Sequence, residues 1–167
     1  MCLKSKAMNI SGSGLDFIKT HEGFRSRMYL DSAGLPTIGY GHLIKQNETD
    51  LLTATLSEEQ AATILQQDTQ QAQTVVNSQI YATLTQPQFD ALVSLVFNIG
   101  QGNFSGSTVK GRINGNYSAS DIKEAWSRWN KVTVNGQLVF NQGLANRRND
   151  EIELYFTGAY TSLKKKS

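Results

Sequence analysis

The sequence predicts an α+β fold that is mostly helical and carries two short β-hairpins. Capping boxes at Ser57 and Thr85 each precede a segment with helical apolar periodicity. Residues 24–31 instead alternate with period two, which is typical of a strand. Asn135-Gly136 lies between two short strand-like runs and is a strong signal for a two-residue hairpin turn. With 167 residues, the chain is long enough for one domain with its own core.

The first element is a helix predicted over about residues 14 to 21. Ser13 with Asp16 three positions later resembles a capping box, and Gly23 stands where a left-handed C-terminal cap is expected. Glu22 therefore lies at the negative end of the helix dipole, which disfavours its ionised form and suits a proton donor. The alternative is an ordinary surface glutamate near a helix end.

The first hairpin is predicted as a strand from Phe24, a turn over residues 31–34 and a returning strand over residues 37–43. Four residues of odd number are expected to face the same side of it: Asp31, Thr37, Gly39 and Gly41. The two glycines leave space in which a ligand can approach the backbone. Alternatively, each glycine only permits a bulge or a tight curvature of the sheet.

Two long helical segments follow this hairpin. The first, over about residues 57 to 77, has a polar middle and is expected to bridge two lobes with much of its surface in water. The second begins at Thr85, carries Pro87 in its first turn and ends before Gly100. Because it is apolar on nearly every side, it should be the central core helix.

The C-terminal part predicts further helices near residues 107 to 114 and 118 to 130. Trp126 and Trp129 share one face of the second helix, where burial is preferred over stacking on sugar rings. A final helix opens at Gly143-Leu144. Three of its charged residues have the spacing of local ion pairs: Arg147, Arg148 and Glu151.

Charge and cysteine content exclude some kinds of site. The chain is mildly basic, with a net charge of +2 and a pI of about 8.7. The lysine run at residues 164–166 is interpreted as a solvated tail, with attraction to an anionic polymer such as a bacterial wall as the alternative. The single Cys2 excludes an internal disulfide. His21 and His42 lack metal-ligand spacing, and His42 is expected to be a structural hydrogen bonder.

No targeting segment is evident in the sequence. Residues 1–13 lack the apolar stretch of about 7 to 15 residues that a signal peptide contains. No run approaches the roughly 20 apolar residues of a membrane span. The chain is therefore expected to be made in the cytoplasm without a signal peptide and not to insert into a membrane.

The most specific motif spans residues 22–42. Glu22, eight residues, Asp31, five residues and Thr37 occur without a gap, and the block continues as Ile-Gly-Tyr-Gly-His. This motif resembles the signature of the phage-type lysozymes, or endolysins, of glycoside hydrolase family 24. Residues 88–100 resemble the core helix of that family, and residues 143–151 resemble a pattern near its C-terminal end. The resemblance extends over most of the chain.

The resemblance implies a lysozyme-like fold in which a small hairpin-bearing lobe and a larger helical lobe are joined by a long helix. We expect residues 14–163 to form a single domain, with a flexible arm over residues 1–13 and a basic tail over residues 164–167. Its three parts are a small lobe at about 14 to 60, a linking helix at about 57 to 77 and a helical lobe at about 78 to 160.

The resemblance also implies a reaction, hydrolysis of the β-1,4 bond between N-acetylmuramic acid and N-acetylglucosamine in peptidoglycan, without a metal or cofactor. Glu22 would be the general acid, and Asp31 with Thr37 would position the attacking water, which predicts inversion at the sugar carbon. Seven residues are predicted to contact the substrate: Tyr29, Gly39, Gly41, Leu43, Phe97, Asn98 and Ser107.

The expected partners are peptidoglycan glycan strands, and not nucleic acid. The enzyme would act as a monomer on the cell wall in the periplasm, after delivery by a pore-forming holin or by a secretion machine. One alternative keeps the same chemistry in a secreted antibacterial effector, which would also have an immunity protein. Another alternative is a peptidoglycan-binding module without catalytic activity.

Overall fold

The structure is a computed structural model that describes residues 7–164. It is mostly helical with two small antiparallel sheets, which confirms the predicted fold class. The helices are α1 (Gly12–Glu22), α2 (Glu58–Asp68), α3 (Gln70–Gln79), α4 (Gln86–Ile99), α5 (Gln101–Ser105), α6 (Thr108–Asn114), α7 (Ala119–Ser127), α8 (Gln142–Thr157) and α9 (Thr161–Lys164). The strands are β1 (Arg25–Leu30), β2 (Pro36–Gly39), β3 (His42–Leu43), β4 (Lys131–Val134) and β5 (Gln137–Phe140).

Helix α1 begins earlier than the sequence predicts. Its N-cap is Ser11 rather than Ser13, and the Ser11 hydroxyl accepts a hydrogen bond from the Gly14 amide at 3.0 Å. The same hydroxyl donates to Asp90 on α4. Ser11 is therefore the better cap, because the buried Asp90 carboxylate holds its side chain in place.

Part of the predicted flexible arm over residues 1–13 contacts the rest of the domain, and its last two residues belong to α1. The Asn77 side chain bonds both the amide and the carbonyl of Met8, each at 2.9 Å. Gln73, four residues earlier on the same face of α3, accepts from the Ile10 amide at 3.0 Å. These amide side chains attach the segment to α3 along its length. Residues 1–6, which include Cys2, lie outside the described residues.

The first sheet has the order β1-β2-β3. The predicted returning strand is divided into β2 and β3, because Gly39 and Gly41 have φ angles of 68° and 78° and turn the chain between them. Tyr29, Thr37 and Leu43 are cross-strand partners in one row. An irregular register between Arg25 and Tyr29 shifts the pairing farther along β1.

The linking helix is also divided. Its predicted span corresponds to α2 and α3, which meet at the fully buried Thr69. The Thr69 hydroxyl donates to the Gln66 carbonyl at 2.8 Å and accepts from the Gln73 side chain at 3.0 Å. A threonine hydroxyl that bonds a nearby carbonyl competes with the helical backbone, which explains the break.

Helix α4 is the centre of the core, as predicted. Every residue from Phe89 to Val96 is buried, and α1, α3 and α8 pack around the helix. The capping box at Thr85 and Gln88 is formed. Trp126 is fully buried, as its helical spacing predicts, whereas Trp129 lies beyond the end of α7 and is only partly buried.

The second hairpin, β4-β5, has the predicted turn. Asn135 and Gly136 have φ angles of 51° and 79°, and this pair of left-handed residues suits a tight hairpin turn. Several of its apolar side chains are exposed, among them Leu138 and Phe140. Among the helices of residues 7–164, none has the length and apolar character needed to cross a membrane. The predicted basic tail starts at the last residue of α9, and residues 165–167 lie outside the described part.

Candidate active site

A cavity of about 870 Å³ lies between the first sheet, the α2–α3 region and the C-terminal end of α4. Its lining includes all three predicted catalytic residues and five of the seven predicted substrate contacts. These eight residues are Glu22, Asp31, Thr37, Tyr29, Gly41, Leu43, Phe97 and Asn98. Positions far apart in sequence are therefore brought to one cleft.

Glu22 is the last residue of α1, and Gly23 follows it with a φ angle of 74°. One carboxylate oxygen, Oε1, accepts a hydrogen bond from Arg147 Nη1 at 2.6 Å. The other oxygen, Oε2, faces Gly41, where an added Cβ would approach it to 2.9 Å. The carboxylate is therefore anchored through one oxygen and directed across the β2–β3 turn with the other.

The sequence argument missed the link between Arg147 and this site. The predicted local ion pair is present, since Arg147 Nε lies 3.4 Å from Glu151 Oε2 on the same helix. The guanidinium also reaches Glu22, which lies 125 residues away in sequence. A motif at residues 143–151 indicates local pairs only, because no periodicity within a helix reveals a partner on another element.

Beneath Arg147 lies a buried polar cluster centred on Glu151. This fully buried carboxylate accepts hydrogen bonds from Trp126 at 3.0 Å, from Ser94 at 2.6 Å and from Arg148 Nη2 at 3.0 Å. Because every charge in the cluster has a partner of opposite sign, burial is tolerated. The cluster fixes α8 on α4 and with it the position of Arg147.

Asp31 is held by the turn that it starts. Its Oδ1 accepts from the amides of Ala33 and Leu35, each at 2.9 Å, and its own amide donates to the Leu35 carbonyl at 2.9 Å. This Asx-type turn fixes the carboxylate through Oδ1. The second oxygen takes no part in the turn and is available to the cavity.

Thr37 is buried next to this turn, and its hydroxyl donates to the Leu35 carbonyl at 3.0 Å. Since the hydroxyl proton is used, the oxygen faces a ligand as an acceptor. Tyr29 is the direct cross-strand partner of Thr37, and Asp31 lies two residues along the same face of the hairpin. The expectation that Asp31 and Thr37 share a face is thus met.

Two predicted substrate contacts do not line this cavity. At Gly39 an added Cβ would meet the Ala61 side chain at 3.2 Å, so the residue faces α2. Its positive φ and the irregular register of β1 break the odd-number rule. Ser107 lies in a separate depression with Arg128 and Trp129, and its hydroxyl caps α6 by accepting from the Lys110 amide.

His42 lies at the edge of the cavity between two carboxylates. Its Nδ1 is 2.7 Å from Asp68 Oδ2, and its Nε2 is 3.1 Å from Glu48. Burial raises the pKa of Glu48, but hydrogen bonds from the Lys45 amide and from His42 outweigh it and hold that pKa below its ordinary value. The predicted structural role for His42 agrees with this arrangement.

Polar residues of the linking region also line the cleft: Gln67, Asp68 and Gln71. The sequence argument interpreted this polar stretch as a wetted helix surface, although its spacing places the three side chains on one face.

Burial raises the pKa of Tyr29. The nearby charge of Arg25 lowers this pKa, whereas the charges of Glu22 and Asp31 raise it. The Tyr29 phenol therefore stays protonated as a donor. Within residues 7–164, no group of three or more His, Cys, Asp or Glu is arranged to hold a metal ion.

The sequence profile of the Phage lysozyme family matches residues 19–151, which contain Glu22, Asp31, Thr37 and Arg147. This chain belongs to the phage lysozyme family. Phage lysozymes of known sequence include an endolysin of Acyrthosiphon pisum secondary endosymbiont phage 1, 41% identical over 149 residues that cover 89% of this chain and 98% of the relative. The endolysin of Salmonella phage P22 is 39% identical over 127 residues, covering 75% and 86% of the two chains.

Solved structures agree with this assignment. The endolysin from Escherichia coli O157:H7 phage FAHEc1 is 40% identical and superposes with a TM-score of 0.84 over 93% of this chain and 98% of that one. The muramidase domain of SpmX from Asticaccaulis excentricus is 35% identical, with a TM-score of 0.80 over 89% and 98% of the two chains. As a phage lysozyme, this chain is a glycoside hydrolase that degrades peptidoglycan.

Proposed function

We propose that this phage lysozyme is a muramidase that cleaves the β-1,4 bond between N-acetylmuramic acid and N-acetylglucosamine, with Glu22 as general acid and water as the nucleophile. The observation that carries the proposal is a single cleft that brings together the carboxylates of Glu22 and Asp31, which have different surroundings. Glu22 is held by a cation, whereas Asp31 is held by backbone amides. Glycoside hydrolysis uses two carboxyl groups in distinct roles.

Glu22 is suited to donate a proton from Oε2, the oxygen that Arg147 does not bind. Oε1 is engaged by Arg147, so a proton on Oε2 faces the cavity and can be given to the oxygen of the leaving sugar. Once the proton has moved, Arg147 stabilises the carboxylate that remains. The end of α1 acts in the opposite direction, since the negative pole of a helix disfavours an anion.

Asp31 and Thr37 are suited to position the attacking water. The free Asp31 oxygen and the Thr37 hydroxyl oxygen are both acceptors, because the Thr37 proton already bonds the Leu35 carbonyl. A water that donates one hydrogen to each of them keeps its lone pair for the sugar carbon. When such a water attacks the sugar carbon, the Asp31 carboxylate takes one of its protons while Glu22 protonates the leaving oxygen, and the product is inverted without a glycosyl-enzyme intermediate. Tyr29, Gly41, Leu43, Phe97 and Asn98 complete the proposed substrate surface.

The biological role that fits best is host lysis by a phage. The curated relatives are named endolysins or SAR-endolysins, across phages of several bacterial hosts. We propose that the enzyme acts on the wall from the periplasmic side, with a holin or a secretion machine as its route. A role outside phage lysis, such as a secreted effector with the same chemistry, is the second candidate, because SpmX from Asticaccaulis excentricus, which is not named as a phage protein, has a muramidase domain that superposes closely on this chain.

Digestion of purified Gram-negative peptidoglycan tests the chemistry. The enzyme should release reducing sugar ends and no new free amino groups, and the first product should carry the α-anomer. Glu22→Gln should lower turnover about a hundredfold or more, because general acid catalysis contributes about 10² to 10⁴. Asp16→Asn, an exposed carboxylate on the same helix, is the control and should keep full activity.

Different failures of this test identify different errors. Release of peptide amines would show that the enzyme is an amidase or a peptidase and not a glycosidase. Products that end in 1,6-anhydromuramic acid would show that water is not the acceptor, and would remove the roles of Asp31 and Thr37. A Glu22→Gln variant with more than a tenth of the wild-type rate would remove Glu22 as the acid.

A further inference from the structure

Helix α1 presents two consecutive side chains to α8, and both are paired there. Glu22 is bound by Arg147 at 2.6 Å, and His21 Nε2 lies 3.3 Å from Asp150 Oδ2. Arg147 and Asp150 are three residues apart, so they stand on one face of α8. The end of α1 therefore meets α8 through two contacts of complementary polarity.

The His21–Asp150 pair is largely shielded from water. The two side chains are 13% and 16% exposed, compared with 28% and 59% for the Lys19–Asp16 pair on the outer surface of α1. Shielded pairs are weakened much less by solvent and salt than exposed pairs are. The His21 ring is also fixed from its own helix, since it packs against the buried Phe17 with ring centroids 4.9 Å apart.

This second contact bears directly on the carboxylate of Glu22. Glu22 is the last residue of α1, and Gly23 begins a change of direction at once, so the helix continues no farther to hold it. The buried Phe17 and Ile18 hold the body of α1, and at its last turn the Arg147 hydrogen bond restrains the Glu22 carboxylate through one oxygen. A second restraint one residue earlier limits how far this turn, and with it the carboxylate, can shift. Because proton transfer demands placement within a fraction of an ångström, such a restraint affects catalysis.

We propose that His21 and Asp150 are positioning residues for catalysis: their pair holds the last turn of α1 against α8 and thereby sets the position of the Glu22 carboxylate. Both helices pack on α4, and the two side-chain pairs connect them above it. The proposal rests on the acid role of Glu22 proposed above. It predicts that loss of the pair lowers the rate of the chemical step and leaves substrate binding intact.

The test uses His21→Gln and Asp150→Asn, each measured for kcat and KM on soluble peptidoglycan fragments under conditions where circular dichroism shows the variant fully folded. We expect kcat to fall about tenfold to a hundredfold with KM within about twofold, since a misplacement of 1 Å can cost about 10²-fold. Asp150→Glu, which keeps the charge, should recover most of the rate. Asp16→Asn is the matched control on the same helix.

A second arm separates positioning from general weakening of the fold. In an enzyme that already carries Glu22→Gln, adding Asp150→Asn should leave the residual rate unchanged, because the pair acts through the Glu22 carboxylate. Single variants with kcat within twofold of wild type would overturn the proposal. An equal fall in both backgrounds would also overturn it. If Glu22→Gln alone stays active, the proposed acid has failed instead, and this outcome is distinct from the other two.

Discussion

The carboxylate of Glu22 and the guanidinium of Arg147 form a 2.6 Å ion pair that joins the first helix of the domain to the last long one. The Arg147 side chain is only 6% exposed, and its remaining nitrogens contact Glu151 and Ser94. One arginine therefore links the proposed acid to the buried polar cluster. This arrangement couples the stability of the helical lobe to the geometry of the cleft.

Replacing Arg147 should damage both stability and activity. Arg147→Met leaves Glu22 without its cation, and breaking a buried ion pair from one side costs about 3 to 5 kcal/mol. Turnover should fall at least about tenfold, because Glu22 loses its anchor. Urea unfolding and peptidoglycan digestion measure the two effects. Arg128→Met, which removes an exposed pair with Glu124, is the control and should cost far less, because solvent screens such a pair. Similar losses in both variants would contradict the special position of Arg147.

Gly41→Ala should abolish activity through a steric effect on Glu22. Its φ of 78° strains an alanine by about 1 to 2 kcal/mol, and the new Cβ would lie 2.9 Å from Glu22 Oε2. Gly158→Ala has the same kind of strain, with φ of 75°, but meets no atom closer than the Pro87 ring carbon at 3.7 Å. Both variants should lose similar stability, and only Gly41→Ala should lose turnover. Full activity of Gly41→Ala would mean that the carboxylate does not lie there.

Alkaline stability should depend on Tyr160. Burial raises the pKa of Tyr160 to about 12, and its hydrogen bond to Asp90 at 2.6 Å acts in the same direction. The unfolded chain releases this proton near pH 10, so the stabilisation is complete below that pH and is lost as pH rises toward about 12. Urea midpoints between pH 9 and 12 measure it. Tyr160→Phe should start less stable by about 1 kcal/mol and show a smaller decline with pH. Equal slopes would contradict the assignment.

Acid stability should depend on Glu48. The folded state lowers the pKa of Glu48 through the Lys45 amide and His42, so its stabilisation is present above the ordinary glutamate range near pH 4.3. That stabilisation is lost as the pH falls from this range through the lower pKa that Glu48 has in the folded state. Glu48→Gln should therefore be less stable at pH 6 and approach the wild type at pH 3. Glu59→Gln, on the exposed surface of α2, is the control and should follow the wild type throughout.

Local chemistry made much of this fold predictable. The capping boxes at Ser57 and Thr85 and the turn at Asn135-Gly136 depend only on neighbours in sequence, and all three form as predicted. The break at Thr69 was not predicted, because it depends on a hydroxyl that bonds a carbonyl instead of water. Nor was the true cap at Ser11, which is selected by Asp90 from another helix.

The active site shows the same difference between features set by neighbours in sequence and features set by packing. The spacing of Glu22, Asp31 and Thr37 places them in one cleft because a helix end and a hairpin are close in sequence. Gly39 departs from the odd-number rule because its φ of 68° takes it out of the regular strand conformation, which alternation alone cannot reveal. Arg147 and His21 acquire their relation to the site only through packing of α1 and α8 on α4.

The distance between Glu22 and Arg147 along the chain also has a consequence during synthesis. A ribosome that has made Glu22 must add another 125 residues before Arg147 exists, which takes roughly 6 to 25 seconds at about 5 to 20 residues per second. Throughout that interval the nascent polypeptide carries the signature motif without the cation that anchors its glutamate. Competence therefore cannot arise before Arg147 has been made, and products truncated before that residue would be inert toward the wall.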